Sequence, residues 1–284
     1  MRVKAMIESA PIDTLTNLAN KMRLKSLEMA YKAGPNGAHL GPALSSIEIL
    51  ACVYGAFMNA DDKKALAGWE DVFIPSKAHC VLSYYTALAF TGHFPEEDLD
   101  TFEIDGSDLS GHPVMNVAKG IEFSGGSLGM GPAQGIGIAL AYRRKGCDGN
   151  IFVLLGDGEC DEGSVWEAAM SATHFKLDNV IFIIDNNKLQ YDGATEQIMA
   201  LRSLADKFSS FGFEVFTVDG HHMGALHVVF TQATGHRDGR PKVIVADTVK
   251  GKGVSFMENK REWHHSRLSK EQYEQAVAEL SRTR

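Results

Sequence analysis

The feature that most constrains the fold is a regular alternation of apolar runs and helical segments in the second half of the chain. The apolar, strand-like runs are NIFVLLGDG, NVIFIIDNN, FEVFTVDG and KVIVADTVKGKG. The segments between them have helical apolar spacing, and they read GSVWEAAMSATHF, SLADKFSSFG and HMGALHVVFTQATG. Near-continuous apolar strands that alternate with helices are typical of right-handed crossovers. The pattern therefore predicts an α/β fold: a parallel sheet flanked by helices on both faces.

The first half of the chain adds further helices and one more strand. Apolar residues at helical spacing predict a helix from Ile12 to Tyr31, with Asp13 as its N-cap. A second helix is expected from Ser46, and VFIPSKAHCVLSYYTALAFTG predicts a strand, a turn and a helix. Residues 268–280 predict a closing helix. Because no repeat or linker interrupts the sequence, we predict one domain over residues 1–284.

Composition restricts the classes of partner. The 284 residues carry 36 acids against 28 lysines and arginines, for a formal net charge of −8. Nucleic acids and anionic membranes select clustered positive charge, so neither is an expected partner. The short basic groups at 143–145, Lys250 and Lys252 are interpreted as solvated helix ends or turns. The four cysteines form no Cys-x-x-Cys pair, and the N-terminus lacks the apolar run of a signal peptide. The longest apolar segment, Ile47 to Met58, is too short to span a membrane, so we expect a cytoplasmic protein.

Polar residues follow two of the predicted strands where ligands bind to sheets of this kind. Asp157 and Asn187 offer oxygen atoms that suit Mg²⁺ or Ca²⁺. Gly158 is expected to open a helix whose free N–H groups favour a phosphate, and it lets that phosphate approach closely. A lone Gly-Asp-Gly is usually a turn. Followed by residues 159–185 and then Asn-Asn, it forms the thiamine-diphosphate pattern.

The chain resembles the N-terminal half of transketolase over nearly its whole length. The motifs that carry the resemblance appear in the family's order, and they are GAHLGPALSSIEIL, SKAHC, GHP, SGGSLGMG, GDGECDEG, DNNKLQYDG and TVKGKGVSFMENKREWH. The chain stops where the family's middle domain would start. It is therefore similar to the separately encoded N-terminal subunit of a split transketolase.

This resemblance implies roles for residues within the motifs. The implied metal ligands are Asp157, Asn187 and the backbone carbonyl of Leu189. The implied contacts to the cofactor diphosphate are His79, Gly158, Asn187 and His264. The implied lining of the thiamine region is Gly126, Ser127 and Leu128. The implied catalytic histidines, directed at substrate hydroxyls and the reacting carbonyl, are His39, His112 and His264. Neutral imidazole suits that role because it can donate or accept a proton at physiological pH.

Several residues keep two interpretations. His265 could replace His264 as the functional histidine, and Lys250 and Lys252 could bind phosphate, although loop charges are favoured. Glu162 and Glu167 could interact favourably with the dipole at the start of the helix, or they could lie near a subunit interface. Glu159 and Asp161 are assigned to the same helix start. The histidines expected to be structural or exposed are His93, His174, His227 and His236, whereas His221 and His222 receive no role. Lys77, Ala78 and Cys80 depart from the Asn-Gly-His-Ala type of sequence found in many relatives.

The resemblance also implies a partner. In the family, the catalytic glutamate and the arginines that hold the substrate phosphate belong to the pyrimidine-binding domain, so the expected partner is a C-terminal subunit with the pyrimidine-binding and C-terminal domains. We therefore expect an α₂β₂ heterotetramer that moves a two-carbon ketol group between sugar phosphates with thiamine diphosphate. The alternatives are a non-catalytic homologue, a plain nucleotide-binding protein, and a chain similar to 1-deoxyxylulose-5-phosphate synthase or to part of a 2-oxo acid dehydrogenase.

Overall fold

The computed structural model describes residues 11–58 and 71–282. Its centre is a five-stranded parallel sheet in the order β1-β2-β3-β5-β4. The strands are β1 Val72–Pro75, β2 Ile151–Gly156, β3 Val180–Asn186, β4 Glu214–Asp219 and β5 Lys242–Asp247. Strands β2 and β3 are buried along almost their whole length, as their continuous apolar sequence predicts.

Helices pack on both faces of this sheet. The α-helices of the described residues are α1 Ile12–Lys32, α2 Leu40–Leu44, α3 Ile47–Cys52, α4 Val81–Phe90, α5 Met130–Lys145, α6 Gly163–His174, α7 Thr195–Ile198, α8 Leu204–Ser210, α9 Met223–Gly235 and α10 Lys270–Arg282. Successive residues of β2 point to opposite faces, so Phe152 joins the core under α1, α4 and α9, whereas Val153 joins the core under α5, α6 and α8. The predicted fold class is therefore confirmed.

One local prediction in the first half needs correction. Pro11 precedes α1, and no side chain caps that helix, so Asp13 lies inside the first turn instead of serving as the N-cap. The helix expected from Ser46 is confirmed as α3, which has Ser46 as its N-cap residue and continues as a π-helical turn over Val53–Phe57. The separate short helix α2 lies before it.

The register of the sheet brings the strand ends to one edge. Gly156 at the end of β2 pairs with Asp185, and Asn186 at the end of β3 pairs with Asp247. Residues that directly follow β2, β3 and β5 therefore lie close together.

Other features agree with the composition. Residues 143–145 form the exposed last turn of α5, and all four cysteines are free. Within residues 11–58 and 71–282, no helix has the length and apolar character needed to cross a membrane.

Candidate active site

A cavity of about 330 Å³ opens at the carboxyl edge of the sheet. All but one of the predicted site residues line it, and they are His39, His79, His112, Gly126, Leu128, Asp157, Gly158, Asn187, Leu189 and His264. The exception is Ser127, which is exposed and does not line the cavity. The topology thus gathers into one place residues that are widely separated in sequence.

Oxygen donors converge at one corner of the cavity. Asp157 accepts hydrogen bonds from the amides of Gly158 at 2.9 Å and Lys188 at 2.5 Å. Asn187 donates its amide Nδ2 to Asp185 at 3.2 Å, while its Oδ1 accepts from the Leu189 amide at 3.1 Å. The amide orientation of Asn187 is therefore fixed, with Nδ2 turned towards the Asp185 carboxylate.

This corner suits a divalent cation. Burial, followed by the nearby Asp185 charge, raises the pKa of Asp157 to about 7, so a bound cation would favour its ionised form. The Leu189 carbonyl already accepts a hydrogen bond from the Lys250 ammonium at 3.0 Å, so it faces positive charge. A carboxylate, an amide oxygen and a carbonyl oxygen form a hard donor set of the kind that Mg²⁺ and Ca²⁺ take.

Gly158 has a different local structure from the one predicted. It begins a 3₁₀ turn over Gly158–Asp161, and the α-helix starts later, at Gly163. Its amide is bonded to the Asp157 carboxylate, so it is not one of a set of free helix N–H groups. A side chain at Gly158 would be crowded, because a Cβ there would lie 2.6 Å from Cγ of Gln190, and the close approach of a phosphate stays a prediction.

Lys250 is a cavity residue, and its interpretation as a solvated loop charge was wrong. Its side chain is buried, and its ammonium donates to the Leu189 carbonyl and to Nδ1 of His264 at 2.9 Å. Burial, followed by the charge of Lys77, lowers the pKa of Lys250 to about 8. Lys252 fits its interpretation as a solvated loop charge, since its side chain is 37% exposed and its Nζ lies 3.8 Å from Oε1 of Glu258. The one sequence signal for Lys250 is its place just after β5.

Lys77 and Asp185 form a buried ion pair beneath the cavity, with side chains only 1% and 0% exposed. Lys77 also donates to the Pro42 carbonyl at 2.9 Å, and Asp185 accepts further hydrogen bonds from Ser45 and Thr248. Burial by itself raises the pKa of Asp185, but the charge and hydrogen bond of Lys77 outweigh it and keep the pKa low. Sequence reasoning noted Lys77 only as a departure, yet it neutralises the carboxylate that orients Asn187.

Four histidine rings form one wall. The ring centroid of His39 lies 5.5 Å from that of His79, 5.4 Å from that of His112 and 5.5 Å from that of His264. Paired backbone hydrogen bonds of 3.0 Å between Ala38 and Ser266 bring the two chain segments together.

These rings are neutral at physiological pH. Burial, with smaller contributions from neighbouring positive groups, lowers the pKa of His39 and of His264 to about 3. It also lowers the pKa of His79 and of His112. A neutral ring can accept a proton at one nitrogen and donate one from the other, as sugar chemistry requires.

His264 and His265 lie on different sides of the wall. His264 lines the main cavity and accepts the Lys250 hydrogen bond. His265 stacks edge-on to His39 at 4.5 Å and lines a smaller cavity of about 150 Å³. The choice between them remains a prediction, and its support is that His264 alone of the two faces the oxygen donors.

Glu159 lies in the first turn of the 3₁₀ helix, as assigned, but its side chain is buried and cannot serve as a subunit contact. It is 2% exposed, and its carboxylate accepts hydrogen bonds from the Gly129 amide at 2.8 Å, the Gly156 amide at 3.0 Å and the hydroxyl of Ser76. It therefore ties the glycine-rich segment to the end of β2. Glu162 and Glu167 are exposed, and neither lines the cavity.

The remaining histidines lie outside the cavity. Those predicted to be structural or exposed are half-buried or exposed, and they are His93, His174, His227 and His236. His222 caps α9, because its Nδ1 accepts from the Ala225 amide at 3.0 Å.

Residues 14–282 match the family model described as transketolase, thiamine diphosphate binding domain. The chain belongs to the transketolase family. Two curated relatives, each named as one subunit of its enzyme, cover nearly all of it. It is 39% identical over 270 residues to an apulose-4-phosphate transketolase subunit from Phocaeicola vulgatus, with 95% of each chain covered. It is 40% identical over 270 residues to 6-deoxy-6-sulfo-D-fructose transketolase subunit SqwG of a Clostridium species, covering 94% of this chain and 96% of that relative.

Solved transketolases share the fold. The Campylobacter jejuni enzyme has a TM-score of 0.85 at 28% identity, covering 96% of this chain and 43% of that one. The Leishmania mexicana enzyme has a TM-score of 0.84 at 27% identity, covering 96% and 41%. The transketolase fold of the cofactor-binding domain is thus confirmed, and the chain spans about two fifths of the length of these enzymes. The nucleotide-binding alternative loses its support.

Proposed function

We propose that this chain is the diphosphate-binding subunit of a two-subunit transketolase. With its partner it transfers a two-carbon ketol group from a ketose phosphate to an aldose phosphate, using thiamine diphosphate. The observation that supports this most is the convergence of oxygen donors, a buried lysine and four neutral histidines in one cavity. The chain forms a single domain over residues 1–284, and the enzyme works in the cytoplasm on carbohydrates.

The cofactor would be held by donors already described. Asp157, Asn187 and the Leu189 carbonyl would hold Mg²⁺ or Ca²⁺, whose charge would favour an anionic diphosphate beside it. The diphosphate contacts would be His79, Gly158, Asn187 and His264, to which we add Lys250. Gly126, Ser127 and Leu128 would lie against the thiamine. When bound, thiamine diphosphate supplies the nucleophilic carbon and the electron sink for C–C bond cleavage.

The protein's own contribution is to hold and move protons. His39, His112 and His264 would contact the substrate hydroxyls and the reacting carbonyl. Because burial keeps His39 unprotonated at neutral pH, its ring can take a proton from a sugar hydroxyl as the bond breaks, whereas His264 would act as a hydrogen-bond donor to the cavity. The hydrogen bond from Lys250 to Nδ1 of His264 leaves the other ring nitrogen to carry the proton and face the cavity.

A partner subunit would complete the site. Apolar side chains near the cavity are unusually exposed for their type, with Leu128 at 38%, Met130 at 48% and Tyr191 at 66%. A partner with the pyrimidine-binding and C-terminal domains would cover them and add the catalytic glutamate. Exposed Glu162 and Glu167 would lie near that interface in an α₂β₂ assembly. The two curated relatives are themselves named as subunits.

The test combines a metal-site variant with reconstitution. Asp157→Ala is expected to abolish Mg²⁺-dependent binding of thiamine diphosphate, measured by calorimetry, while circular dichroism shows a folded chain. Asp148→Ala removes an exposed acid that precedes β2, at the opposite edge of the sheet, and should bind like the wild type. The purified chain should be inactive in a coupled ketose-phosphate assay until its partner is added. Wild-type affinity in Asp157→Ala, or turnover by the chain alone, would refute the proposal.

A further inference from the structure

Three side chains that do not line the cavity are hydrogen-bonded to the segment that carries Lys250, or to one another. We call Arg23, Glu48 and His221 the Glu48 bracket. Arg23 comes from α1, Glu48 from α3 and His221 from the loop between β4 and α9. The bracket therefore joins two helices and a loop to the segment after β5.

The hydrogen bonds of the bracket form a continuous chain that begins and ends at the backbone around Lys250. One oxygen of Glu48 accepts from the Arg23 guanidinium at 2.5 Å, and the other lies 3.0 Å from Nδ1 of His221. Arg23 Nε donates to the Lys252 carbonyl at 3.1 Å. Nε2 of His221 accepts from the Val249 amide at 2.8 Å. His221 and Arg23 thus bind backbone groups on either side of Lys250, namely the Val249 amide and the Lys252 carbonyl.

The arrangement selects one tautomer of His221. Burial by itself raises the pKa of Glu48, but Arg23 and His221 outweigh it and keep the pKa low, so Glu48 is ionised and can only accept. Nδ1 of His221 therefore carries the proton, and Nε2 presents the lone pair that the Val249 amide needs. The other charged group at His221 is Asp219, whose carboxylate accepts from the His221 amide at 2.9 Å.

The burial of the bracket is informative. The side chains are 5% exposed for Arg23, 12% for Glu48 and 11% for His221. Burying such charges costs desolvation energy, and apolar residues could fill the same space without that cost. What apolar residues could not supply is an acceptor for the Val249 amide and a donor for the Lys252 carbonyl. The polar chemistry is thus directed at the segment that bears Lys250.

We propose that His221, supported by Glu48 and Arg23, is a positioning residue that places the Lys250 ammonium at the diphosphate side of the cavity. This inference rests on the proposed binding of thiamine diphosphate at Lys250. His221 does not touch the cofactor itself. It acts by fixing the Val249 amide, one residue before Lys250.

A pair of amide variants separates the two bonds of His221. Asn at this position retains a donor for Glu48 but is too short to reach the Val249 amide, whereas Gln can reach it with its carbonyl. We expect His221→Asn to weaken thiamine diphosphate binding about tenfold, measured by calorimetry on the full chain with Mg²⁺, because the Val249 amide is left unpaired. His221→Gln should stay within about threefold of the wild type, since an amide–carbonyl hydrogen bond replaces the lost one. With the partner and saturating cofactor, kcat should be unchanged in both.

Two controls show whether the effect passes through Lys250. His222→Ala removes the adjacent helix cap, so it should lower Tm and leave cofactor affinity unchanged. In a Lys250→Met background, His221→Asn should cause no further loss of affinity, because coupled residues do not act additively.

The outcomes separate the two proposals. Wild-type affinity in His221→Asn, a full further loss in the Lys250→Met background, or an equal loss in His222→Ala would overturn the positioning role. Failure of the wild-type chain to bind thiamine diphosphate would instead overturn the proposed function.

Discussion

The neutral state of the histidine wall predicts a specific loss of stability in acid. The pKa of His39 in the folded chain is about 3, against about 6.5 for an ordinary histidine. Below pH 6.5 the unfolded chain binds a proton at this ring and the folded chain does not. The depressed pKa therefore contributes stability that is present above pH 6.5 and is lost as the pH falls towards 3.

The size of the effect follows from the same values. Each pH unit between the two pKa values costs about 1.4 kcal/mol, so a fully shielded ring would lose about 2 kcal/mol between pH 7 and pH 5. His39 lines an open cavity, and solvent screening reduces the expected loss to about 1 kcal/mol or slightly more. His39→Asn carries no titrating ring and should not show this loss.

The assay is urea unfolding of the chain at pH 7 and pH 5, followed by circular dichroism. The free energy of unfolding of the wild type should fall by about 1 kcal/mol more than that of His39→Asn. His174→Asn, which changes an exposed histidine, should behave like the wild type. Equal losses in the wild type and in His39→Asn would refute the assignment of a buried, neutral His39.

Two further predictions concern the floor and the mouth of the cavity. Lys77→Met leaves the buried carboxylate of Asp185 without its counter-ion, so the free energy of unfolding in urea should fall by about 3 kcal/mol or more. Adding Asp185→Asn should recover part of that loss. Gly126→Ala adds a methyl group with nothing within 4 Å, so Tm should change little, whereas calorimetry should show weakened thiamine diphosphate binding because the methyl group occupies cofactor space.

Much of the fold could be predicted because its signals are local and periodic. The apolar runs of β2 and β3, and the amphipathic spacing of α1, predicted those elements and their order. The expected helix at Gly158 was wrong for a reason that the local sequence does not contain. The Glu159 side chain turns inwards to bond the amides of Gly129 and Gly156, and the chain forms a 3₁₀ turn around it.

The site likewise contains residues that the sequence could predict and one that it could not. Asp157 and Asn187 could be placed because parallel strands end at one edge, whatever the details of packing. Lys250 could not, because a buried ammonium is tolerated only where carbonyls and carboxylates from other segments surround it. Those groups include the Leu189 carbonyl, 61 residues away along the chain. The sequence offers no local sign of such a long-range partner.

The contact between Lys250 and the Leu189 carbonyl also bears on how the two components of the cofactor bind. The ammonium donates to a carbonyl oxygen that a divalent cation would also use, so two positive charges would share that oxygen when the metal binds. Their repulsion would weaken the binding of the metal alone, and an anionic diphosphate beside both charges would offset it. Metal and diphosphate would thereby be linked ligands, and thermodynamic reciprocity requires each to raise the affinity for the other by the same factor. The lysine would thus disfavour the metal alone and favour the metal together with the anion.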